Sequence, residues 1–539
     1  MGASRNPGTQ DWTPASAGVT TALHLAYAIP DHPWVDSADG AAVRIAMTVG
    51  AAGLAPGLLR TLVEEGGTEG DAVHVAFADR RGRIHADLSI GADVVGAKAL
   101  RANAGLGSPG FKLHGAGFIV TPEEAARLLP AAVPPFSKGG SNPADPGGTS
   151  LIRPYRNGRD LTDRPRCVAV IDLYGLTAED VRARHPALYQ WLLERVKPER
   201  DAKAHSLDGA AYARLWWLHG KPRPELRKAL AGLPRYIATV ETAKHRTFQF
   251  LDAAIAPDNM LVCIALADAY ALGVLSSAVH VTWALAAGGR LGLGNDPRYN
   301  KTRCFDPFPF PDPTPAQQAR IRALAEELDA HRKHQQAAHP DLTLTGMYNV
   351  LGKLRAGEPL NARDQAVHEA GLVSVLKQIH DDLDAAVLDA YGWSDLLPSP
   401  AGGGAGGEGR WDTDALLERL VALNAERRRE ETAGRVRWLR PEFQNPAVQT
   451  AVAAIATPAE TAEPAAKPAT EAKQPWPATL PEQVAAVARV LGEAAAPLTE
   501  ADLAARFTGK GPWKKRLPQL LGTLAALGRA RAVGGGWLV

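Results

Sequence analysis

The sequence predicts a multidomain chain of α/β (mixed α+β) class. Three observations carry this. Short β-branched runs such as Cys167–Ile171 and Arg235–Val240 alternate with amphipathic stretches of helical period. Two segments poor in large apolar residues, 130–150 and 446–475, divide the chain. The C-terminal stretch carries three helical stripes followed by two short β runs. With 539 residues the chain can hold several domains, and 45% hydrophobic content is ample for their cores. A net charge of +2 excludes a polycation, so any nucleic-acid site has to arise from local clustering. Cys167, Cys263 and Cys304 are odd in number and far apart. That excludes a disulfide framework and a compact cysteine zinc site, and fits a reducing cytoplasm. The most apolar region, Leu261–Ala286, is interrupted by Asp268 and His280 and reads as a buried helix pair, not a membrane span.

Residues 1–21 are rich in Pro, Gly, Ser and Thr without periodicity and read as disordered. Strand-like runs follow at Leu23–Ile29 and Ala42–Val49. Val73–Phe77 and Ile84–Ile90 alternate around Arg80-Arg-Gly-Arg83, a hairpin pattern. Beyond the 130–150 linker comes Leu151-Ile-Arg-Pro-Tyr-Arg-Asn-Gly-Arg-Asp160. It holds Arg153, Arg156 and Arg159 at three-residue intervals, with Tyr155, Asn157 and Gly158 among them. Asn157-Gly158 signals a turn, because both residues tolerate positive φ. Guanidinium groups on a fixed loop suit a phosphate or a guanine edge. The alternative pairs these arginines with Asp160, Asp163 and Asp172.

Thr177-Ala-Glu-Asp180 is a capping-box start, and Pro186 begins a further helix. Trp216-Trp217, beside His219 and Lys221, read as core ahead of a stacking platform. Lys244, His245 and Arg246 form a basic triplet after the Arg235–Val240 strand, suited to phosphate or base contact or to a solvated turn. Val262–Trp283 reads as strand then helix, with His280 a hydrogen-bonded core histidine. Tyr299, Asn300, Lys301 and Arg303 make a second polar loop before the Pro307, Pro309, Pro311 run. Amphipathic helices are expected over Pro315–His334, Leu372–Tyr391 and Asp412–Arg435, and 401–409 is a Gly-rich loop without a phosphate motif. Three helices and a hairpin over 476–539 spell a winged helix. That segment holds eight Lys/Arg and four Asp/Glu, +4 (8 − 4). Lys510, Lys514, Lys515 and Arg516 cluster at its third helix, for DNA or for a protein partner.

Here a resemblance enters. Arg153-Pro-Tyr-Arg-Asn-Gly-Arg-Asp-Leu161, running on to Arg166 and Val170-Ile-Asp172, resembles the P-Y-x-N-G-R-D-L … R … V-I-D block of large single-chain DNA methyltransferases. These are the MmeI-like Type II restriction-modification enzymes and their adenine-specific relatives. Arg235–Arg246, Leu272–Trp283 and Tyr299–Pro311 match further motifs of that family in order, and the resemblance covers roughly residues 22–395. It implies that 22–129 is the C-terminal remnant of a methyltransferase domain. It implies a target recognition domain over 151–312, a helical domain over 313–445, and a separate winged helix after the 446–475 linker. The DNA-binding residues implied or inferred are those of the two arginine and lysine loops, the basic triplet and Lys514–Arg516.

The family uses S-adenosylmethionine, held by a Gly-rich loop after the first strand, and an Asn-Pro-Pro-aromatic motif for the flipped adenine. Neither motif is present. Val133-Pro-Pro-Phe136 has Val133 where the Asn belongs, and Gly105-Leu-Gly107 and Gly292-Leu-Gly294 read as turns. The chain is therefore expected to bind double-stranded DNA without binding S-adenosylmethionine on its own, with catalysis in an absent half or a separate polypeptide. Two other functions stay open: a DNA-recognition subunit without chemistry, and a scaffold that binds no DNA.

Overall fold

The computed structural model describes residues 22–33, 44–66, 74–128, 150–291, 296–397, 412–446, 474–477, 480–492, 498–508, 513–526, 530–533 and 536–538. The chain forms two compact units, Met1–Val452 and Ala453–Val539. The expectations for 1–21, Val133–Phe136, Gly292–Gly294, 401–409 and most of the two linkers lie outside the described residues.

The first unit opens with β1 (Leu23–Pro33), β2 (Arg44–Ala52), β3 (Gly57–Gly66) and β4 (His74–Gly82), in the order β2-β1-β3-β4. The β1–β3 pair is parallel and the other two are antiparallel. β3 was not anticipated. Its sequence, Leu-Leu-Arg-Thr-Leu-Val-Glu-Glu, lacks strict alternation, and its strand state comes from pairing on both edges. The expected hairpin also shifts. Arg80 and Arg81 lie within β4, opposite Leu59 and Leu58, and Ile84 meets Ile90 only in an isolated bridge. The core beneath this sheet is small: Ala28, Leu59 and Ile84.

The region that follows contains β5 (Gly107–Pro109), β6 (Ile119–Val120) and α1 (Pro122–Leu128). After the linker come β7 (Ile152–Arg156), α2 (Gly158–Thr162) and β8 (Ala169–Ile171). A helical excursion follows: α3 (Ala178–Arg184), α4 (Pro186–Arg195), α5 (Lys197–Ala202), α6 (Leu207–Arg214) and α7 (Pro224–Leu230). The chain returns through β9 (Arg235–Val240), β10 (Gln249–Asp252), β11 (Ala256–Pro257) and β12 (Leu261–Ile264). It exits through α8 (Ala269–Ser276), α9 (Ala278–Ala287), β13 (Gly289–Leu291), β14 (Asp296–Arg298) and α10 (Lys301–Cys304). Two sheets result, ordered β10-β9-β12-β5 and β11-β7-β8-β6. β5 and β6 precede residue 130 in the chain, yet each completes one of these two sheets.

Period-2 alternation divides the core. From β9, Ile237 faces one cluster, while Tyr236, Ala238 and Val240 face the other. From β12, Val262 and Ile264 join the first, and Leu261 and Cys263 the second. The first cluster is covered by α8 and α9, and by α11 (Pro315–Ala338), α12 (Leu344–Arg355), α14 (Val373–Tyr391) and α15 (Thr413–Thr432). Between α12 and α14 lies α13 (Ala362–Gly371), and α16 (Pro441–Gln444) is the last described helix of the unit. The helical region thus shares one core with the strands before it; Ile321, Leu328, Leu416, Leu417 and Leu420 of the expected stripes are buried there.

No single helix among the described residues is long and apolar enough to cross a membrane. The α8–α9 pair is bent by 61° and packs inside the core. Thr177 and Asp180 form the expected capping box, and Pro186 is the first residue of α4. Trp216 is buried, and the Trp217 indole donates to the Leu176 carbonyl (2.8 Å), so both belong to the fold. Cys167 is exposed at φ +54°, which delays the strand to Ala169.

The second unit holds α17 (Leu480–Gly492), α18 (Glu500–Ala505) and α19 (Leu517–Ala526). With β15 (Gln474–Pro475) and β16 (Phe507–Thr508) pairing in parallel, a hairpin of β17 (Arg531–Val533) and β18 (Gly536–Leu538) completes it. Leu498 bridges to Trp537 of that hairpin. Val487, Leu491, Leu503, Leu521 and Leu524 fill its core.

Candidate nucleic-acid interface

The Leu151–Asp160 stretch divides between strand and helix. In β7, Ile152, Arg153 and Pro154 pair with Ile171, Val170 and Ala169 of β8. The Arg153 guanidinium donates to the carbonyls of Ala253 (3.0 Å), Ala254 (3.0 Å) and Ile255 (3.3 Å) and to Asp172 Oδ2 (3.3 Å). Arg227 grips the same carboxylate through two bonds of 2.8 and 2.9 Å. Burial alone would raise the Asp172 carboxyl, but the Arg227 hydrogen bonds and neighbouring positive charge hold it down to about 2. Tyr155 is buried and its hydroxyl donates to Asp258 Oδ2 (2.5 Å), with burial pushing the phenol upward. Arg153 and Tyr155, expected at a DNA surface, instead tie β7 to the 253–258 segment.

Asn157 also departs from expectation. It sits at φ −111° as the N-cap of α2, not in a left-handed turn. Its side chain accepts from the Asp160 amide (3.1 Å), and the Asp160 carboxylate accepts from the Asn157 amide (2.8 Å). A Cβ on Gly158 would stand 2.8 Å from Val240 Cγ1, so glycine is what lets α2 lie against β9. Asp160 further accepts from the Arg166 amide (2.8 Å), Nε (3.0 Å) and Nη2 (2.7 Å). This frame leaves Arg159 exposed and Arg156 half-buried, and neither forms an ion pair among the described residues.

Two more segments meet at this end of β9. The Tyr299 amide donates to the Glu241 carbonyl (2.6 Å), and the Ala243 amide to Pro297 (3.3 Å). Arg246 is buried: it donates to Thr239 Oγ1 (3.1 Å), the Pro297 carbonyl (2.9 Å) and the Val240 carbonyl, and burial lowers its pKa. Tyr299 is buried against His280, with its hydroxyl 2.9 Å from Nε2. His245 Nε2 lies 2.8 Å from Asn349 Oδ1, and burial lowers its pKa. Asn300 caps α10 by accepting from the Thr302 amide (3.2 Å), and Lys301 pairs with Asp306 (2.8 Å). Arg246 and Tyr299 are therefore reassigned from surface to core. Lys244 and Arg303 remain exposed without an ion pair among the described residues.

The three predicted loops thus converge, and among the described residues Arg156, Arg159, Lys244 and Arg303 have no carboxylate partner there. Lys514 and Arg516 are exposed on the second unit; Lys510 and the Lys515 side chain lie outside the described residues. A feature with no local sequence signal accompanies the loops. A cavity of about 90 Å³ lies between them and α12, lined by Thr162, Thr242, Lys244, Thr247, Leu344 and Thr345 among others. The lining residues are up to a hundred and more positions apart, so no motif could announce them.

Gly105 turns at φ +77° into β5, and a Cβ on Gly107 would meet Phe305 at 3.2 Å and Lys301 at 3.4 Å. A Cβ on Gly105 would meet only Phe443, at 3.7 Å. No group of three or more His, Cys, Asp or Glu among the described residues is arranged to hold a metal ion.

Residues 145–312 match the family model of the MmeI target recognition domain. A 72-residue stretch is 38% identical to DNA methyltransferase A of Bacillus subtilis (strain 168), covering 13% of this chain and 8% of that protein. The solved structure of the Type IIL restriction-modification enzyme MmeI in complex with DNA superposes with a TM-score of 0.51 at 17% identity. That match covers 76% of this chain and 46% of the MmeI chain, so this chain spans less than half of that relative. Residues 145–312 are thus similar to the MmeI target recognition domain, and the chain shares a multidomain α/β fold with MmeI.

Proposed function

We propose that this chain recognises a specific site on double-stranded DNA, as the recognition half of an adenine-specific DNA methyltransferase in a restriction-modification or phage-defence system. The observation that carries the reading is the MmeI-type recognition domain at 145–312, whose converging loops leave Arg156, Arg159, Lys244 and Arg303 unneutralised. Such groups can contact phosphates anywhere on a duplex and read guanine edges at a chosen site. Methyl transfer is assigned to residues other than those described, in the same protein or a separate catalytic polypeptide. S-adenosylmethionine accordingly does not bind this chain alone, and titration calorimetry tests that directly. The second unit is read as a winged helix presenting Lys514 and Arg516; its three helices, its terminal hairpin and the Leu498–Trp537 bridge support this. Free cysteines support a cytoplasmic setting.

Selection from a randomised duplex pool, followed by anisotropy titration against salt, tests the main reading. Enrichment of one site, with a steep fall in affinity as salt rises, is the expected result. Absence of duplex binding at low salt would favour a scaffold instead. Methyl transfer by the purified chain would reject the division of labour proposed here.

A further inference from the structure

The cavity between the recognition loops and the helical region has a donor set in search of an acceptor. Its walls are held in place: Thr345 Oγ1 donates to the Thr162 carbonyl (3.1 Å), and Asn349, one turn further along α12, meets His245. Inside, Thr242 Oγ1 is buried without a hydrogen-bond partner. Thr247 is only 7% exposed, lines the same cavity, and its hydroxyl has no partner among the described residues. Lys244 reaches the rim without an ion pair. At the start of α12, the Thr343 side chain satisfies the Gly346 amide (3.0 Å), while the Leu344 and Thr345 amides make no backbone bond. Among the described residues no carboxylate lines the space. Thr242, Thr247, Lys244 and the first two residues of α12 thus line a space of about 90 Å³, a donor set suited to a tetrahedral oxyanion.

We propose that this cavity holds one backbone phosphate of the bound duplex, so that the helical region as well as the recognition domain grips DNA. The assignment rests on the DNA reading above, and goes beyond it by giving α12 a direct role. Lys244 lines the cavity and has no ion pair among the described residues, while its neighbour Arg246 turns inward to carbonyls and does not line it; a phosphate there would bring Lys244 the missing charge.

The test uses the full chain, with Lys244→Ala and Thr247→Val as variants. Lys244 is exposed and Thr247→Val conserves shape, so both are expected to melt like the wild type. Lys244→Ala should weaken binding to all duplex sequences by a similar factor and shrink the slope of log K against log salt by about 0.9. Duplexes carrying one neutral methylphosphonate linkage at successive positions locate the contact. At one position the wild type should lose what Lys244→Ala loses, Lys244→Ala should lose nothing further, and Thr247→Val should share that position. An unchanged slope with duplex binding intact overturns the phosphate site and leaves the DNA reading standing. Failure of the wild type to bind any duplex overturns both. If inorganic phosphate gives Lys244-dependent heat while the methylphosphonate series shows no coupled position, the cavity takes free phosphate, and the backbone assignment is wrong.

Discussion

Arg153 and Arg166 differ from Arg156 and Arg159 in everything but chemistry. The first pair is committed to the fold: Arg153 to Asp172 and three carbonyls, Arg166 to the fully buried Asp160. The second pair occupies the same short stretch yet has no carboxylate partner among the described residues. A capping box separates them. It turns the chain from β7 into α2, buries Asp160, and projects the side chain at the helix's second position outward. Neighbouring guanidinium groups thus serve opposite purposes, because a partner's desolvation decides each one's cost.

Substitutions break this comparison in graded order. Asp172→Ala leaves Arg153 and Arg227 with no counter-charge in a nearly closed site, and should destabilise the first unit by about 3–5 kcal/mol in denaturant unfolding. A DNA defect without loss of stability would contradict the structural role. The same carboxylate gives a pH signature. Its folded pKa, about 2, lies below the ordinary value of 3.8, so its stabilising contribution is present above 3.8 and is lost as pH falls toward 2. The loss should total roughly 2 kcal/mol; Asp172→Asn should flatten stability in that window. Arg166→Ala strips the two guanidinium bonds from Asp160, leaving only the backbone amide of residue 166 on it, and should cost about 1–3 kcal/mol. Smallest in stability are Arg156→Ala and Arg159→Ala, each within about 0.5 kcal/mol. Their effect belongs to DNA: a shallower salt slope for a phosphate contact, or about 1–3 kcal/mol lost on the cognate site alone for a guanine contact. Equal unfolding in all three arginine variants, with affinity per folded molecule unchanged, would erase the distinction.

Much of the fold was legible where the cause is local. The Thr177 capping box, the helix starting at Pro186, the stripe of α11 and the strand character of β9 all depend on residues within a few positions. The candidate site was legible as three segments but not as side chains. Tyr299 and Arg246 carry the composition of a binding loop, yet hydrogen bonds to His280 and to the Thr239, Val240 and Pro297 groups draw them inside. β3 escaped notice because strands on both sides impose its conformation.

By itself, the sequence determined the mixed α/β class, the capped helices, the alternating strands and the supply of cations near β9. These follow from periodicity, proline geometry and side-chain capping, which act over a turn or a pleat. Only the tertiary structure decided which cations are free. Asp172 meets Arg227 across 55 residues, and Thr345 meets Thr162 across 183. An ion pair is settled by burial and by which distant donors arrive at the same place. The spacing of charges along a chain carries neither.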